Sequence, residues 1–271
     1  MPNNFSFNEA EKKAQVQDQF SRTAKNYVNS VSHRTGSDLK RLIELGEWNP
    51  QLHAIDIATG GGHTALAVAP HVGDITVTDL TPAMLEQAQA FLQSQGITNA
   101  LFQVADAENL PFADASFDCI TCRIAPHHFP NIGRAVQEIA RILKTNGIFL
   151  LIDSVAPSDP ELDIFDNTIE KWRDPSHGRS CTQEEWQTFF AQANLQIEHQ
   201  EIFRRSQNYD DWTTRSQMSD VEKIRLETYI FQSAPHIQDY FAVETRENGH
   251  IKNFSTDFIL LKGRKIPVQS Q

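Results

Sequence analysis

The chain has 271 residues, enough for one domain with additions and a substantial buried core. A composition of 39% hydrophobic and 22% charged residues is that of a globular protein and excludes wholesale disorder. The formal net charge of −11 argues against a nucleic-acid partner, whose phosphates it would repel. The opening MPNNFSFNEAEKK lacks the basic-then-apolar layout of a signal peptide. The longest apolar runs, such as Ile148–Ile152, are too short for a membrane span. A cytoplasmic protein is expected.

Residues 9–31 place Val16, Phe20, Ala24, Tyr27, Val28 and Val31 along one helical stripe. Tyr27 either packs in the core or closes over a ligand. A second helix is predicted from Ser37 to Leu45, stopped by Gly46. LHAIDIA, from Leu52, then reads as a buried strand, followed by Thr59-Gly60-Gly61-Gly62-His63-Thr64. Glycines at a strand-to-helix turn let the backbone turn sharply and let a ligand lie against main-chain atoms. The helix that follows aims its free N–H groups at that ligand. A second strand, Asp74–Thr78, ends at Asp79, where a carboxylate can accept both hydroxyls of a ribose. This is the pattern of a nucleoside-binding βαβ unit.

Thr81-Pro82 marks the start of a helix with Leu85, Ala88, Phe91 and Leu92 on its buried face. A third strand over Asn99–Val104 runs into Asp106-Ala107-Glu108, and a fourth spans Phe117–Cys122. Cys119 and Cys122 have C-x-x-C spacing, but positions i and i+3 of a strand face opposite ways. With Cys181 the lone remaining thiol, neither a disulfide framework nor a metal site is expected. Asn131 caps a strongly periodic helix, Gly147 ends it, and Ile148–Asp153 is the fifth strand. Repeated βα units predict a parallel sheet with helices on both faces and ligands at the carboxyl ends of its strands.

Residues 156–181 read as an irregular or short-helical insertion. Thr182-Gln183-Glu184-Glu185 is a capping box, with Cys181 and Trp186 placed as a hydrophobic staple. Leu195–Arg204 alternates as an exposed edge strand should, Ser219 and Glu222 form a second capping box, and Asn253–Lys262 is a strand buried on both faces. The two late strands predict an antiparallel addition to the sheet, with residues 206–247 as an inserted cap. The expected division is residues 1–48 (helical preface), 49–155 (nucleoside-binding core) and 156–271 (rest of the sheet with the cap). Trp172, Tyr209, Trp212, Tyr229, Phe231, Tyr240 and Phe241 make the cap region aromatic. They could enclose an apolar small molecule, form ordinary core, or meet a second copy in a homodimer.

The glycine turn alone leaves the nucleoside open. Gly60 to Ala65 also satisfies the dinucleotide pattern G-x-G-x-x-G/A, so an NAD(P)-dependent oxidoreductase is one alternative. A non-catalytic nucleoside-binding protein is another. Two features point elsewhere: an acid with a following amide at Asp106-Ala107, suited to an adenine edge, and the late antiparallel pair in place of a second βαβαβ half.

With these features the sequence resembles the class I S-adenosylmethionine-dependent methyltransferases, closest to the ubiquinone/menaquinone-biosynthesis group (the methyltransferase type 11 domain). The matching residues are Asp56-Ile57-Ala58-Thr59-Gly60-Gly61-Gly62, Asp79, Asp106-Ala107-Glu108, Leu110 to Asp118, and Arg123-Ile124-Ala125 through Phe129-Pro130. They span roughly residues 50–155. The resemblance implies a Rossmann-like α/β fold with a seven-stranded, mostly parallel sheet whose last strand is antiparallel. It implies S-adenosylmethionine as cofactor and a small-molecule methyl acceptor. Position by position, Ala58, Thr59, Gly60 and Gly62 would line the methionine moiety and Asp56 would hold that turn. Asp79 would take the ribose hydroxyls, with Leu80 and Met84 against adenine. Asp106 and Ala107 would flank the base, and Cys122 and Arg123 would lie beneath the sulfonium. His127 and His128, after the fourth strand, are the candidate general bases, and His33 is a weaker one. Asp114 and Asp118 are read as turn residues.

Overall fold

The structure is a computed structural model that describes residues 8–28 and 36–267, with side chains described through residue 22 in the first helix and from residue 36 on. Two helices, α1 (Glu9–Val28) and α2 (Ser37–Leu45), precede the sheet. Then come β1 (His53–Ile57), α3 (His63–Val68), β2 (Asp74–Asp79), α4 (Pro82–Ser94), β3 (Ala100–Val104), β4 (Phe117–Arg123), α5 (Ile132–Ile142) and β5 (Leu143–Ala156). The chain continues with α6 (Pro160–Arg173), β6 (Cys181–Thr182), α7 (Gln183–Gln192) and β7 (Leu195–Asn208). Helices α8 (Tyr209–Arg215), α9 (Asp220–Gln232) and α10 (Pro235–Tyr240) lead through β8 (Glu244–Thr245) to β9 (Ile251–Lys265).

The main sheet runs β3-β2-β1-β4-β5-β9-β7. The first five strands are parallel, and β9 is antiparallel to both β5 and β7. This is the expected seven-stranded arrangement, with two-residue strands β6 and β8 added beside it. The order turns back between β1 and β4, which opens a crevice at the carboxyl ends of those strands.

Local signals account for most boundaries. Both capping boxes form, Thr182 with Glu185 and Ser219 with Glu222. The Asn131 side chain accepts from Arg134 N at the start of α5, and Ile132, Ala135, Val136 and Ile139 bury one face of that helix. At Thr81 the cap works differently: the threonine side chain accepts nothing, and its backbone N–H donates to Asp79 Oδ1 at 2.9 Å. Residues 160–173, expected to be irregular or short-helical, form the 14-residue helix α6. Asp159 caps it, Pro160 supplies the first helical position, and Leu162, Phe165 and Ile169 are its buried stripe.

One apolar cluster lies on each face of the sheet. Cys119 belongs to one and Cys122 to the other, as strand alternation requires. A third cluster joins α6 to the helices inserted between β7 and β9, with Phe165, Trp212, Phe241 and Phe254 at its centre. Tyr209, Trp212 and Phe241 are thus core residues, whereas Trp172 is 48% exposed and Phe231 36%.

Gly62 shows how tightly the turn is packed. Its φ is +83°, and a Cβ there would sit 2.5 Å from Leu92 Cδ1 and 3.2 Å from Ala88 Cβ. Gly62→Ala is therefore expected to cost about 2–4 kcal/mol through left-handed backbone strain and overpacking. A urea midpoint equal to that of the unsubstituted protein would contradict this packing.

Candidate active site

The site grows from the ends of β1 and β2. Thr59 N donates to Thr78 O at 2.8 Å, which pins the turn to the neighbouring strand. Asp56, 1% exposed, accepts from Thr59 Oγ1 at 2.6 Å and Thr121 Oγ1 at 2.7 Å. Asp79, 8% exposed, accepts from Gly60 N at 3.0 Å and Thr81 N at 2.9 Å. Burial raises both carboxyls to about 6, and the hydrogen bonds to each only partly oppose it. Ala58, Gly60 and Gly62 all take left-handed φ, so three residues of this short turn depart from ordinary backbone.

Above the turn lies a cavity with about 960 Å³ of empty space, part of it open to solvent. Its floor is Ala58, Thr59 and Gly60, and Asp79, Leu80 and Met84 form one side. Asp106, Ala107 and Glu108 form another, while Arg123, Ile124 and His128 close the far end. Helix α1 is the roof through Lys13, Val16 and Phe20. Lys13 Nζ lies 2.7 Å from Asp106 Oδ2 and 2.6 Å from Glu108 Oε2, and Gln17 Nε2 donates to Leu80 O at 2.9 Å. The roof is therefore fastened to the loops after β2 and β3.

A second cavity adjoins the first across Phe20, Ile124 and His128, which line both. His127 faces this second space. Its Nδ1 sits 2.6 Å from Asp153 Oδ1, and its backbone N–H donates to Asp153 Oδ2 at 2.9 Å. Burial pulls the imidazole down, but the adjacent Asp153 charge and hydrogen bond outweigh it, so His127 is raised above its ordinary value. A proton on Nδ1 directed at Asp153 leaves Nε2, unpartnered among the described residues, as the basic nitrogen. His128 stays neutral: burial and then the His127 charge push it down to about 3. Its Nδ1 is 3.2 Å from the Ser176 carbonyl, and Phe20 meets its ring edge-on.

The structure gathers ten of the expected residues around the first cavity: Ala58, Thr59, Gly60, Asp79, Leu80, Met84, Asp106, Ala107, Arg123 and His128. Asp56 lies beneath the turn as its brace, and Gly62 points into helix α4. Cys122 does not reach the cavity; it is fully buried in the cluster beneath the sheet, because alternation along β4 sends its neighbour Arg123 to the site instead. His127 belongs to the second cavity alone. The Tyr27 side chain and His33 lie outside the described residues. Lys13, Phe20 and Glu108 were absent from the expected set, as was Asp153, the partner of His127. Periodicity had marked Phe20 only as part of a helical stripe, and no local signal pairs residue 13 with residue 106.

A model of the family described as "Methyltransferase domain" matches residues 55–151. The chain is 38% identical to the uncharacterised methyltransferase YcgJ of Bacillus subtilis (strain 168) over 246 residues, covering 91% of this chain and 97% of that protein. The crystal structure of YcgJ superposes with a TM-score of 0.83 at 37% identity, covering 86% of this chain and 100% of that one. It is also 30% identical to the ubiquinone/menaquinone biosynthesis C-methyltransferase UbiE of Brucella anthropi, over 64% of this chain and 69% of that protein. Sheet order, glycine turn and family match agree. The chain belongs to the class I S-adenosylmethionine-dependent methyltransferases, and its activity is methyl transfer from S-adenosylmethionine.

The His127–Asp153 contact can be tested without any substrate. In Asp153→Asn the imidazole pKa, followed by NMR, is expected to fall by about one to three pH units as the adjacent charge is removed. An unchanged titration would mean that Asp153 does not set the protonation of His127.

Proposed function

We propose that the first cavity binds the methyl donor, that the second binds a small-molecule acceptor, and that His127 serves as general base where the accepting atom carries a proton. One observation carries this reading: the glycine turn, Asp79 and Asp106 line a single hollow, and that hollow opens beside a histidine–carboxylate pair. The residues fit the donor. A carboxylate offers about four acceptor positions, and backbone N–H groups use two of those on Asp79, so the ribose hydroxyls have acceptors waiting. Leu80 and Met84 supply an apolar face for adenine, with Asp106 and Ala107 at its edge. Asp56 acts from behind, bracing Thr59, and Arg123 stands at the sulfonium end. When bound, S-adenosylmethionine supplies a methyl group already activated on sulfur, so alignment and exclusion of water are the main demands on the protein. Phe20 and Ile124 provide that exclusion at the junction of the two cavities. Asp153 orients the His127 ring and stabilises the imidazolium that forms when Nε2 takes a proton.

In this reading residues 49–155 are the donor-binding core, helix α1 its roof, and the described residues from 156 on the acceptor side. We place the reaction in the cytoplasm, supported by three buried, unbridged thiols at Cys119, Cys122 and Cys181.

Two measurements test the roles. Asp79→Asn is expected to weaken S-adenosylhomocysteine binding by about 1–3 kcal/mol in calorimetry, through the loss of charged hydrogen bonds. Hydroxyl donors favour the ionised carboxylate, so affinity should fall as pH drops through about 6 and lose that dependence in Asp79→Asn. Equal affinities across pH and variant would overturn the ribose assignment. His127→Gln is expected to leave S-adenosylhomocysteine binding intact and lower kcat by about 10²–10⁴ with a protonated acceptor; a retained kcat would remove His127 as the base.

A further inference from the structure

The second cavity encloses about 670 Å³, part of it open to solvent. Three arginines reach its wall from three separate elements: Arg173 at the end of α6, Arg205 on β7 and Arg215 at the end of α8. They face one lining carboxylate, Glu170, which Arg173 holds through Nε at 3.0 Å and Nη2 at 2.7 Å. Among the described residues the lining carries three guanidiniums and one carboxylate, in a chain whose formal net charge is −11.

Other carboxylates stand close to the wall, Asp166 beside Glu170 among them. Asp38 lies between Arg123 (2.7 Å) and Arg205 (3.1 Å), Asp153 is committed to His127, and Asp174 accepts from Ser176. Arg205 is the most informative of the three cations. Its side chain is 23% exposed, packs over the Phe258 ring at 4.2 Å and gives Nη2 to Asp38. Among the described residues, Nε and Nη1 have no protein acceptor. Burial pulls this guanidinium below its usual value, and Asp38 offsets that only in part. An anion can complete such a set, because the guanidinium fork matches carboxylate and phosphate oxygens. The rest of the described wall combines the apolar side chains of Phe20, Ile124, Trp212 and Phe258 with His127, His128, Ser154 and Gln207.

We propose that the methyl acceptor is a small anion, an apolar body bearing a carboxylate or phosphate, gripped by Arg205, Arg215 and Arg173. This rests on the assignment of the first cavity to the methyl donor. The guanidiniums line the second cavity alone, whereas Ile124, Phe20 and His128 line both. The anion is thus the anchor, and the atom that receives the methyl group lies at the opposite end, beside Ile124 and His127. The methylated product keeps its negative charge.

The test uses the full chain saturated with S-adenosylhomocysteine and ligand-observed NMR with four probes: benzoate, phenyl phosphate, benzamide and benzylamine. Benzoate or phenyl phosphate is expected to bind at least about tenfold more tightly than benzamide and benzylamine. Preference for one of the two acids identifies its source as carboxylate or phosphate. Arg205→Gln and Arg215→Gln should each cut the preference about fivefold or more. S-adenosylhomocysteine affinity, measured in the same samples, reports that each variant is folded and its donor cavity intact. Equal binding of acid and amide up to about 10 mM, preference for the amine, or a preference that survives both substitutions overturns the proposal. Failure of S-adenosylhomocysteine to bind the unsubstituted protein would instead overturn the donor-site reading.

Discussion

The architecture depends on two carboxylates held out of water at the ends of adjacent strands. Asp79 ties Gly60 N to Thr81 N, and so fixes the turn after β1 relative to the start of α4. Asp56 ties Thr59 to Thr121, and so fixes the same turn relative to β4. Neither contact is free. Each carboxyl rises from 3.8 to about 6 on burial, which favours its neutral form in the folded chain. The associated stability is complete below the unfolded value near 4 and is lost as pH rises through about 6. Keeping each group ionised at neutral pH costs on the order of 3 kcal/mol. A ligand that donates hydrogen bonds to Asp79 works in the opposite sense, and this is the physical content of a preorganised site.

A third buried carboxylate serves both cavities. Asp38, 3% exposed on α2, contacts Arg123 from β4 and Arg205 from β7. Arg123 lines the first cavity and Arg205 the second. One anion thus sets the position of a guanidinium in each space and joins three elements that are remote in sequence. A buried cluster of this kind says little about net stability, but it does fix geometry.

How far the sequence disclosed this follows the range of the interactions. Strands, helices and both capping boxes are local patterns of period 2 or 3.6, or of three-residue spacing, and they were legible. The glycine turn and the acids after β2 and β3 were legible because the fold places each at a strand's carboxyl end. Helix α6 was legible only as an irregular or short-helical stretch: its Asp-Pro start and the apolar residues Leu162, Phe165 and Ile169 were present, but the polar residues around them hid its full length. Contacts across the fold left no local trace. Lys13 reaches Asp106 across 93 positions and Arg123 reaches Asp38 across 85. Nothing in the residues around His127 indicated that Asp153 would hold its Nδ1 while His128 became the neutral partner.

The placement of charge ties the two cavities into one device. The first is lined by three carboxylates, Asp79, Asp106 and Glu108, against the cations Lys13 and Arg123. The second has three guanidiniums against Glu170. Adjoining spaces of opposite sign, separated by Phe20, Ile124 and His128, suit a cationic methyl donor on one side and an anionic acceptor on the other. Away from bulk water such charges are weakly screened, so the opposite signs of the two spaces favour different ligands in each. Phe20 of α1 lines both spaces, so the proposed donor and acceptor sites share part of one wall.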